Sequence, residues 1–499
     1  MLAFLPPVLF LALGWFLNDP VALLASAVFS FFALLAAVIP GRANWLRGWG
    51  QALLCGLVLV YLVSTLVNGI SWAAAFQGIY QRNFGLFFWL ALALVFSLSA
   101  SGALKSELFI GISLPILLGL ASIYGLLQYF DKDPFPWRDP FDAVQLTLGN
   151  PNFSGAMLGI ISVIPLAWVM GSAGAGWRVL GVLSFVVVLV LAIGSKSLQA
   201  LVVMVIVVAV FVLVKVSRAS GLFARVFKYL GAVVGALVVV GMPVLVFTKV
   251  GLLSGLRERF FFQGSITQRL DYWRTGFEIF MDHPWFGVGP DQFQRYAALY
   301  RTKEQIVRDG AFVIPDKAHS VLIDALANGG IFAGLLWSAF VILIFIRLVQ
   351  TARMDLPVKV REQLAVVGAI WCGYVFQALI SPDQLLLAVL GFMSAGLIVY
   401  LHKSQLKVPV KRSKFEFLFE DAIYARTFLL SIFAIAVVIW SQAISADMAA
   451  KKVLGNENLT RESVLAAVNQ WPAPKTTELI AIAVSQADSQ CDLADELAD

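Results

Sequence analysis

The sequence predicts an all-α polytopic integral membrane protein of about 12–13 transmembrane helices with one large external loop. Of its 499 residues 60% are hydrophobic and only 13% are charged. A soluble domain of this size carries about 25% charged residues, so the composition excludes an ordinary soluble fold. The apolar residues also fall into runs long enough to span a bilayer, and a polar insert at 249–320 interrupts them.

Each predicted helix is an apolar run, and a run of about 17–25 such residues spans the hydrocarbon core. The first run is short and contains Pro6 and Pro7, so the predicted number of transmembrane helices changes by one according to whether this run is counted. Because Met1–Phe4 lacks basic residues, we expect this run to be retained rather than cleaved as a signal peptide. The predicted spans are 3–17, 21–39, 51–67, 84–100, 108–127, 154–171, 178–194, 198–215, 227–248, 321–346, 363–380, 384–401 and 427–445.

The orientation follows from the positions of Lys and Arg, which favour the cytoplasmic side. With the N-terminus inside, most basic connecting residues fall on one side, including the cluster between Lys403 and Arg426. The short loops of the opposite side carry few basic residues, namely Arg82, Lys132, Arg138 and Lys196. This bias places the 249–320 insert and a polar tail outside. We therefore predict a membrane domain over 1–445 and a small helical tail over 446–499.

The insert is predicted to contain an amphipathic helix over 265–283, which Pro284 ends. Arg269 and Arg274 lie away from its apolar face, so they can meet lipid headgroups or substrate phosphates. Pairing of the arginines with Asp271 and Glu278 is the structural alternative. The apolar face consists of Ile266, Leu270, Trp273, Phe277 and Phe280, at helical spacing.

Three further polar residues lie at the outer ends of apolar runs. His319 opens the run that starts at 321, with Ser320 placed to cap the helix. An unperturbed histidine pKa of about 6.5 suits a general base at neutral pH. Lys196 and Arg82 are candidate anion contacts, since cations at such positions are commonly functional. The structural alternative for each is an amphipathic side chain with its tip in water.

Metal chemistry finds no support in the sequence. Cys55, Cys372 and Cys491 lie far apart, with neither metal-ligand spacing nor a disulfide framework. No close group of carboxylates and histidines is predicted on the outer side. We therefore expect no metal site, no cofactor and no nucleic-acid partner.

The central pattern resembles the O-antigen ligase and polymerase superfamily of bacterial membrane glycosyltransferases. That family has an Arg-bearing helix, a PxxGxG turn, a loop, and a His that opens a helix. Here the pattern comprises Arg269–Trp273, His283-Pro284 through Gly289, and His319-Ser320, with Gly330 eleven residues later. Gly149-Asn150-Pro151-Asn152 is similar to an upstream motif of the family.

The resemblance implies transfer of a glycan from undecaprenyl pyrophosphate to an acceptor hydroxyl on the periplasmic face of the bacterial inner membrane, without a metal. It implies that His319 is the base and that Arg269 holds the pyrophosphate, with Lys196, Arg82 and Arg274 as further contacts. Many members have Ser-Arg where this chain has Ser195-Lys196. Lysine keeps the charge but not the two-pronged geometry of arginine.

The acceptor stays open at this stage. A ligase uses lipid A-core as its acceptor, and a polymerase uses another lipid-linked repeat unit. A protein oligosaccharyltransferase uses a serine of a protein. We favour a ligase or polymerase, because no feature argues for a protein acceptor. A transporter is less well supported because the halves of the chain show no repeat. A structural scaffold leaves the His and Gly spacing unexplained.

Overall fold

A computed structural model describes the helical framework of the chain. It covers residues 2–15, 48–79, 83–102, 104–134, 142–171, 174–218, 265–310 and 313–406, with Arg225, Tyr229, Ser441 and Ser445. Every regular element in these ranges is a helix, which confirms the predicted all-α class. In chain order they are α1 Leu5–Trp15, α2 Trp49–Val67, α3 Trp72–Gln77, α4 Leu86–Ala100, α5 Ser106–Tyr129, α6 Pro151–Met170, α7 Ala175–Gly194, α8 Leu198–Lys215, α9 Ser265–Asp282, α10 Phe293–Ala297, α11 Lys303–Asp309, α12 Val321–Ala352, α13 Val358–Ile380 and α14 Leu385–Gln405.

Within the described residues, eight helices are long and apolar enough to cross a membrane: α2, α5, α6, α7, α8, α12, α13 and α14. Helix α4 is apolar but shorter, with 15 residues. The predicted span 3–17 corresponds to α1, which has 11 residues. The predicted spans 21–39, 227–248 and 427–445 and the tail 446–499 lie outside the described residues.

Helix α14 lies at the centre of the bundle. It is buried along nearly its whole length and packs against α4, α12 and α13. Phe392 of α14 stacks on Phe340 of α12 at 5.4 Å between ring centroids, and Phe340 meets Trp371 of α13 at 5.8 Å. Helix α7 is peripheral, and most of its apolar side chains are exposed. An apolar helix face with no neighbour in the part of the chain that the structure describes fits contact with lipid tails, which are as apolar as the side chains themselves.

The two ends of the bundle differ in charge. Helix α8 begins at Leu198 and ends at Lys215, which pairs with Glu362 at 3.0 Å. The same end carries Arg361, which donates to Ser217, and Arg347, whose guanidinium lies 3.2 Å from His402. The opposite end holds the start of α8 and the polar layer built by α9, α10 and α11. Eighteen residues at 1.5 Å each separate the two ends of α8 by about 27 Å.

The predicted amphipathic helix is confirmed as α9, and the residues that it buries against the protein lie outside the predicted apolar stripe. Thr275, Gly276 and Ile279 are buried where α9 packs on α12, while Phe277 is 52% exposed. The reason is close packing: a Cβ on Gly276 would already lie within 3.1 Å of Ala318. The small residues therefore face the protein. Phe277 instead lies on the open side of α9, as expected of a helix that rests on a membrane surface.

Helix α12 is interrupted at Gly330, whose φ of 68° and ψ of −165° are not helical. The turn over 284–289 fills the gap with backbone hydrogen bonds. Val288 donates to the Ala327 carbonyl at 3.0 Å, and Ile331 donates to the Pro284 carbonyl at 2.8 Å. The PxxGxG turn and the glycine eleven residues after His319 therefore form one backbone junction.

Substitution Gly330→Ala is expected to be strongly destabilising. The positive φ costs a non-glycine residue about 1–3 kcal/mol, and the new Cβ would overlap the backbone of Trp285 and Phe286. We expect a lower thermal unfolding midpoint in detergent and loss of activity. The control is Gly119→Ala in α5, where a Cβ meets nothing within 4 Å. Equal midpoints for the two variants would contradict the role of this junction.

Candidate active site

His319 lies where the polar layer meets the start of α12. Its φ is 54°, so the chain turns sharply at this residue. The indole Nε1–H of Trp273 donates to the His319 carbonyl oxygen at 3.1 Å, and the Tyr272 ring lies 5.0 Å from the imidazole centroid. Two consecutive residues of α9 therefore fix the position of His319.

Ser320 occupies the N-cap position of α12, as predicted, but its hydroxyl does not cap the helix. Asp324 reaches back instead, and its Oδ1 accepts a hydrogen bond from the Ala318 N–H at 2.8 Å. The predicted cap position is thus correct, while the predicted capping group is wrong. The longer carboxylate side chain satisfies an N–H before the helix, which stabilises the backbone on both sides of His319.

Arg269 lies on α9, close to one turn before the residues that contact His319. Its guanidinium donates to the Gln199 side-chain oxygen at 3.3 Å. Burial lowers the pKa of Arg269 to about 10, so it remains charged at neutral pH. No carboxylate among the described residues pairs with it. A largely desolvated cation without a counter-charge is costly, which indicates a site for an anion.

Lys196 occupies the turn between α7 and α8 with a φ of 53°. Its ammonium pairs with Asp142 at 2.8 Å, and both side chains are exposed. The polar contact to Arg269 comes instead from Gln199, three residues later, in the first turn of α8. Ser381 also donates to the Gln199 oxygen, at 3.4 Å. The structure thus brings Arg269 together with Gln199 and the loop before α14.

The other two predicted anion contacts have different surroundings. Arg274 pairs with Glu278 at 3.2 Å one turn later on α9, and both side chains are 42% exposed. This pairing is the structural alternative stated for it. Arg82 lies outside the described residues. Its flanking residues are held by one carboxylate, since Ile79 and Phe84 both donate their N–H to Asp291 Oδ2, at 2.8 and 3.1 Å.

Asp291 also forms a buried ion pair with Lys317, two residues before His319. The two side chains are 0% and 5% exposed. Burial acts to lower the pKa of Lys317, but the carboxylates of Asp291 and Asp324 outweigh it, so the pKa is raised. The ammonium also lies 5.2 Å from the centroid of the Phe84 ring. This pair ties the segment before His319 to the loop that carries Arg82.

A second buried carboxylate, Asp383, lies in the short loop between α13 and α14. It accepts a hydrogen bond from the Tyr374 hydroxyl at 3.0 Å. Burial raises its pKa to about 7, against the effect of the hydrogen bonds from Tyr374 and the Gln384 N–H. Ser381 of the same loop donates to Gln199 at the start of α8, so the loop lies on the His319 side of the bundle.

The sequence did not single out Gln199, Asp291, Lys317 or Asp383. Gln199 and Asp383 each border an apolar run on the outer side, the same signal that identified Lys196 and His319. Asp291 and Lys317 are two of many charged residues in the insert, so the sequence alone did not predict that they pair. In the described ranges, no group of three or more His, Cys, Asp and Glu side chains is arranged to hold a metal ion.

Comparison with protein families gives one match for this region. Residues 181–338, about a third of the chain, match the family described as O-antigen ligase. The matched segment runs from α7 into α12 and includes Lys196, Gln199, Arg269 and His319. Curated proteins gave no significant match. Together with the helical membrane fold, this matched segment supports a relationship to the O-antigen ligase superfamily.

Proposed function

We propose that the protein transfers a glycan from undecaprenyl pyrophosphate to an acceptor hydroxyl, as an O-antigen ligase does. The observation that carries this proposal is the arrangement on α9. One turn of this helix separates Arg269, a largely desolvated cation that pairs with no carboxylate of the described residues, from the residues that hold His319. A diphosphate leaving group needs a fixed cation, and an attacking hydroxyl needs a base.

The proposed reaction is a single displacement at the anomeric carbon. His319 accepts the proton of the acceptor hydroxyl while its oxygen forms the new bond to that carbon. The bond from the anomeric carbon to the pyrophosphate oxygen breaks, and the negative charge on the leaving undecaprenyl pyrophosphate is stabilised by Arg269. The proton ends on the His319 imidazole. No metal or cofactor takes part in this scheme.

Lys196, Arg274 and Arg82 are proposed as secondary anion contacts. In the absence of substrate Lys196 and Arg274 pair with exposed carboxylates. Exposed ion pairs of this kind contribute little to stability, so a phosphate can replace the carboxylate at small cost. Arg82 is proposed because both described neighbours of its loop are fixed to Asp291, which pairs with Lys317 beside His319.

The proposed location is the bacterial inner membrane, with the active site facing the periplasm. The end of the bundle that carries Lys215, Arg347 and Arg361 is assigned to the cytoplasm by the positive-inside rule. The end with His319 and Arg269 then faces outward. Helix α9 exposes Phe277 at this end, and we propose that membrane lipids contact this helix and that a lipid-linked donor enters along it.

The Arg269 assignment is tested by Arg269→Met in proteoliposomes supplied with undecaprenyl-pyrophosphate-linked glycan and EDTA. Loss of a preorganised charge at a developing anion is expected to lower the transfer rate by about 10²–10³-fold. The matched control is Arg295→Met, an exposed arginine of the same polar layer, which is expected to keep wild-type activity. Equal activity of the two variants would remove Arg269 from the mechanism.

The acceptor is tested by deleting the gene and sizing the lipid-linked glycans that accumulate. Long chains stranded on the lipid support the proposed ligase. Single repeat units indicate a polymerase instead. If lipopolysaccharide still carries its full-length glycan while a normally glycosylated protein has lost its glycan, the result indicates a protein oligosaccharyltransferase. Lipid-linked glycans unchanged from wild type would contradict the proposed donor.

A further inference from the structure

Gln199 combines a hydrogen-bonded oxygen with an amide nitrogen that has no acceptor. The residue is 5% exposed, and its Oε1 accepts from both Arg269 and Ser381. A guanidinium can only donate, so the amide oxygen must face Arg269 and the NH₂ group must point elsewhere. Among the described residues nothing accepts a hydrogen bond from that Nε2. Such an unpaired buried donor is destabilising unless a ligand satisfies it.

The start of α8 adds further donors at the same place. Gln199 is the second residue of this 18-residue helix, and the helix has no side-chain cap. The Ser197 hydroxyl, which occupies the cap position, donates to Asn152 Oδ1 at 2.8 Å instead. The Ala200 N–H donates to the Ser197 carbonyl oxygen at 3.1 Å, while the N–H groups of Leu198 and Gln199 precede any intrahelical acceptor, so they and the positive end of the helix dipole lie at the end that carries Gln199. This arrangement favours an anion.

We propose that Gln199 is a substrate-binding residue whose side-chain NH₂ donates to the diphosphate that Arg269 holds. The Gln199 oxygen orients the guanidinium while its nitrogen binds the same anion. This assignment rests on the proposed function, since it takes the anion to be the donor diphosphate. Gln199 thereby supplies, from α8, the contact that Lys196 does not make with Arg269.

The test measures binding of undecaprenyl pyrophosphate and of uncharged undecaprenol to the full-length protein in detergent micelles. Gln199→Met keeps the size of the side chain but removes its donor. We expect its affinity for undecaprenyl pyrophosphate to fall by about tenfold or more, the loss that one hydrogen bond to a charged group produces. The affinity for undecaprenol is expected to stay unchanged. The Gln199→Glu variant is expected to lose more affinity for undecaprenyl pyrophosphate, because the new carboxylate neutralises Arg269.

Two controls separate a binding role from a structural one. Gln51 is also a buried glutamine without a partner for its amide among the described residues, but it lies at the other end of the bundle. Gln51→Met is therefore expected to bind both ligands as the wild type does. In addition, Gln199→Met and Arg269→Met should combine non-additively, because both residues bind one anion.

Each outcome has a distinct meaning. Equal losses for undecaprenyl pyrophosphate and undecaprenol in Gln199→Met would overturn the inference and leave a structural role only. Wild-type affinity in Gln199→Met would also overturn it, while the proposed function stands. A wild-type protein that does not prefer undecaprenyl pyrophosphate over undecaprenol would contradict the proposed donor itself.

Discussion

Substitution His319→Gln is expected to lower the rate of glycan transfer by about 10³-fold, within the 10²–10⁴ range of general-base catalysis. Glutamine can still form hydrogen bonds at this position, but it does not accept a proton at neutral pH. The backbone contact from Trp273 to the residue 319 carbonyl does not depend on the side chain, so the fold is expected to persist. The measurement is single-turnover transfer in proteoliposomes at saturating donor.

The matched control for His319 is His283→Gln. His283 lies in the same polar layer, half-buried, with its ring 5.5 Å from that of Tyr296. Its loss is expected to leave the transfer rate near the wild-type value. A folded His319→Gln or His319→Ala protein with wild-type turnover would exclude His319 as the base.

The second large effect is expected for Asp291→Ala. The substitution leaves the Lys317 ammonium buried without its partner, which costs about 3–5 kcal/mol. It also removes the acceptor of the Ile79 and Phe84 N–H groups. We expect a markedly lower thermal unfolding midpoint in detergent, together with a loss of transfer because the segment before His319 is no longer fixed.

The double variant Asp291→Asn with Lys317→Met tests the cause of that loss. An asparagine oxygen can still accept from Ile79 and Phe84, and methionine replaces the ammonium by an apolar group of similar length. Replacing both charges of a buried pair is often close to neutral for stability. Most of the lost stability should therefore return. A double variant as unstable as Asp291→Ala would show that the charge pair is not the origin of the effect.

The sequence predicted what depends on local pattern. Helix α8 has the predicted bounds of 198 and 215, because the polar turns on both sides of the apolar run fix where the helix begins and ends. Helix α9 was predicted for a similar reason, from its periodic apolar residues and Pro284. The residues of α9 that pack against α12 were not predicted, because the close approach at Gly276 depends on tertiary packing, while Phe277 stays exposed.

The candidate site was predictable only in part. Arg269 and His319 were predicted from their resemblance to the family pattern, and the structure connects both to α9. Gln199 meets Arg269 across 70 residues of sequence, and Asp291 meets Ile79 across 212. Contacts of such separation depend on how the helices pack, and one sequence carries no local signal for that. Gly330 was noted in the sequence as part of the motif. The break in the helix at this residue and its backbone hydrogen bonds with 284–289 are visible only in the structure.

The buried pair of Asp291 and Lys317 also closes residues 292–316 into a loop whose two ends are fixed at one point. The entropy of closing a flexible loop rises slowly with its length, by about 0.6 kcal/mol for each doubling. Insertions in the exposed parts of this loop, away from the buried Phe293 and Ala297, therefore change the free energy of folding little and leave His319 in place. A loop anchored in this way lets the surface beside His319 change, and with it the molecules that dock there, while His319 keeps its position.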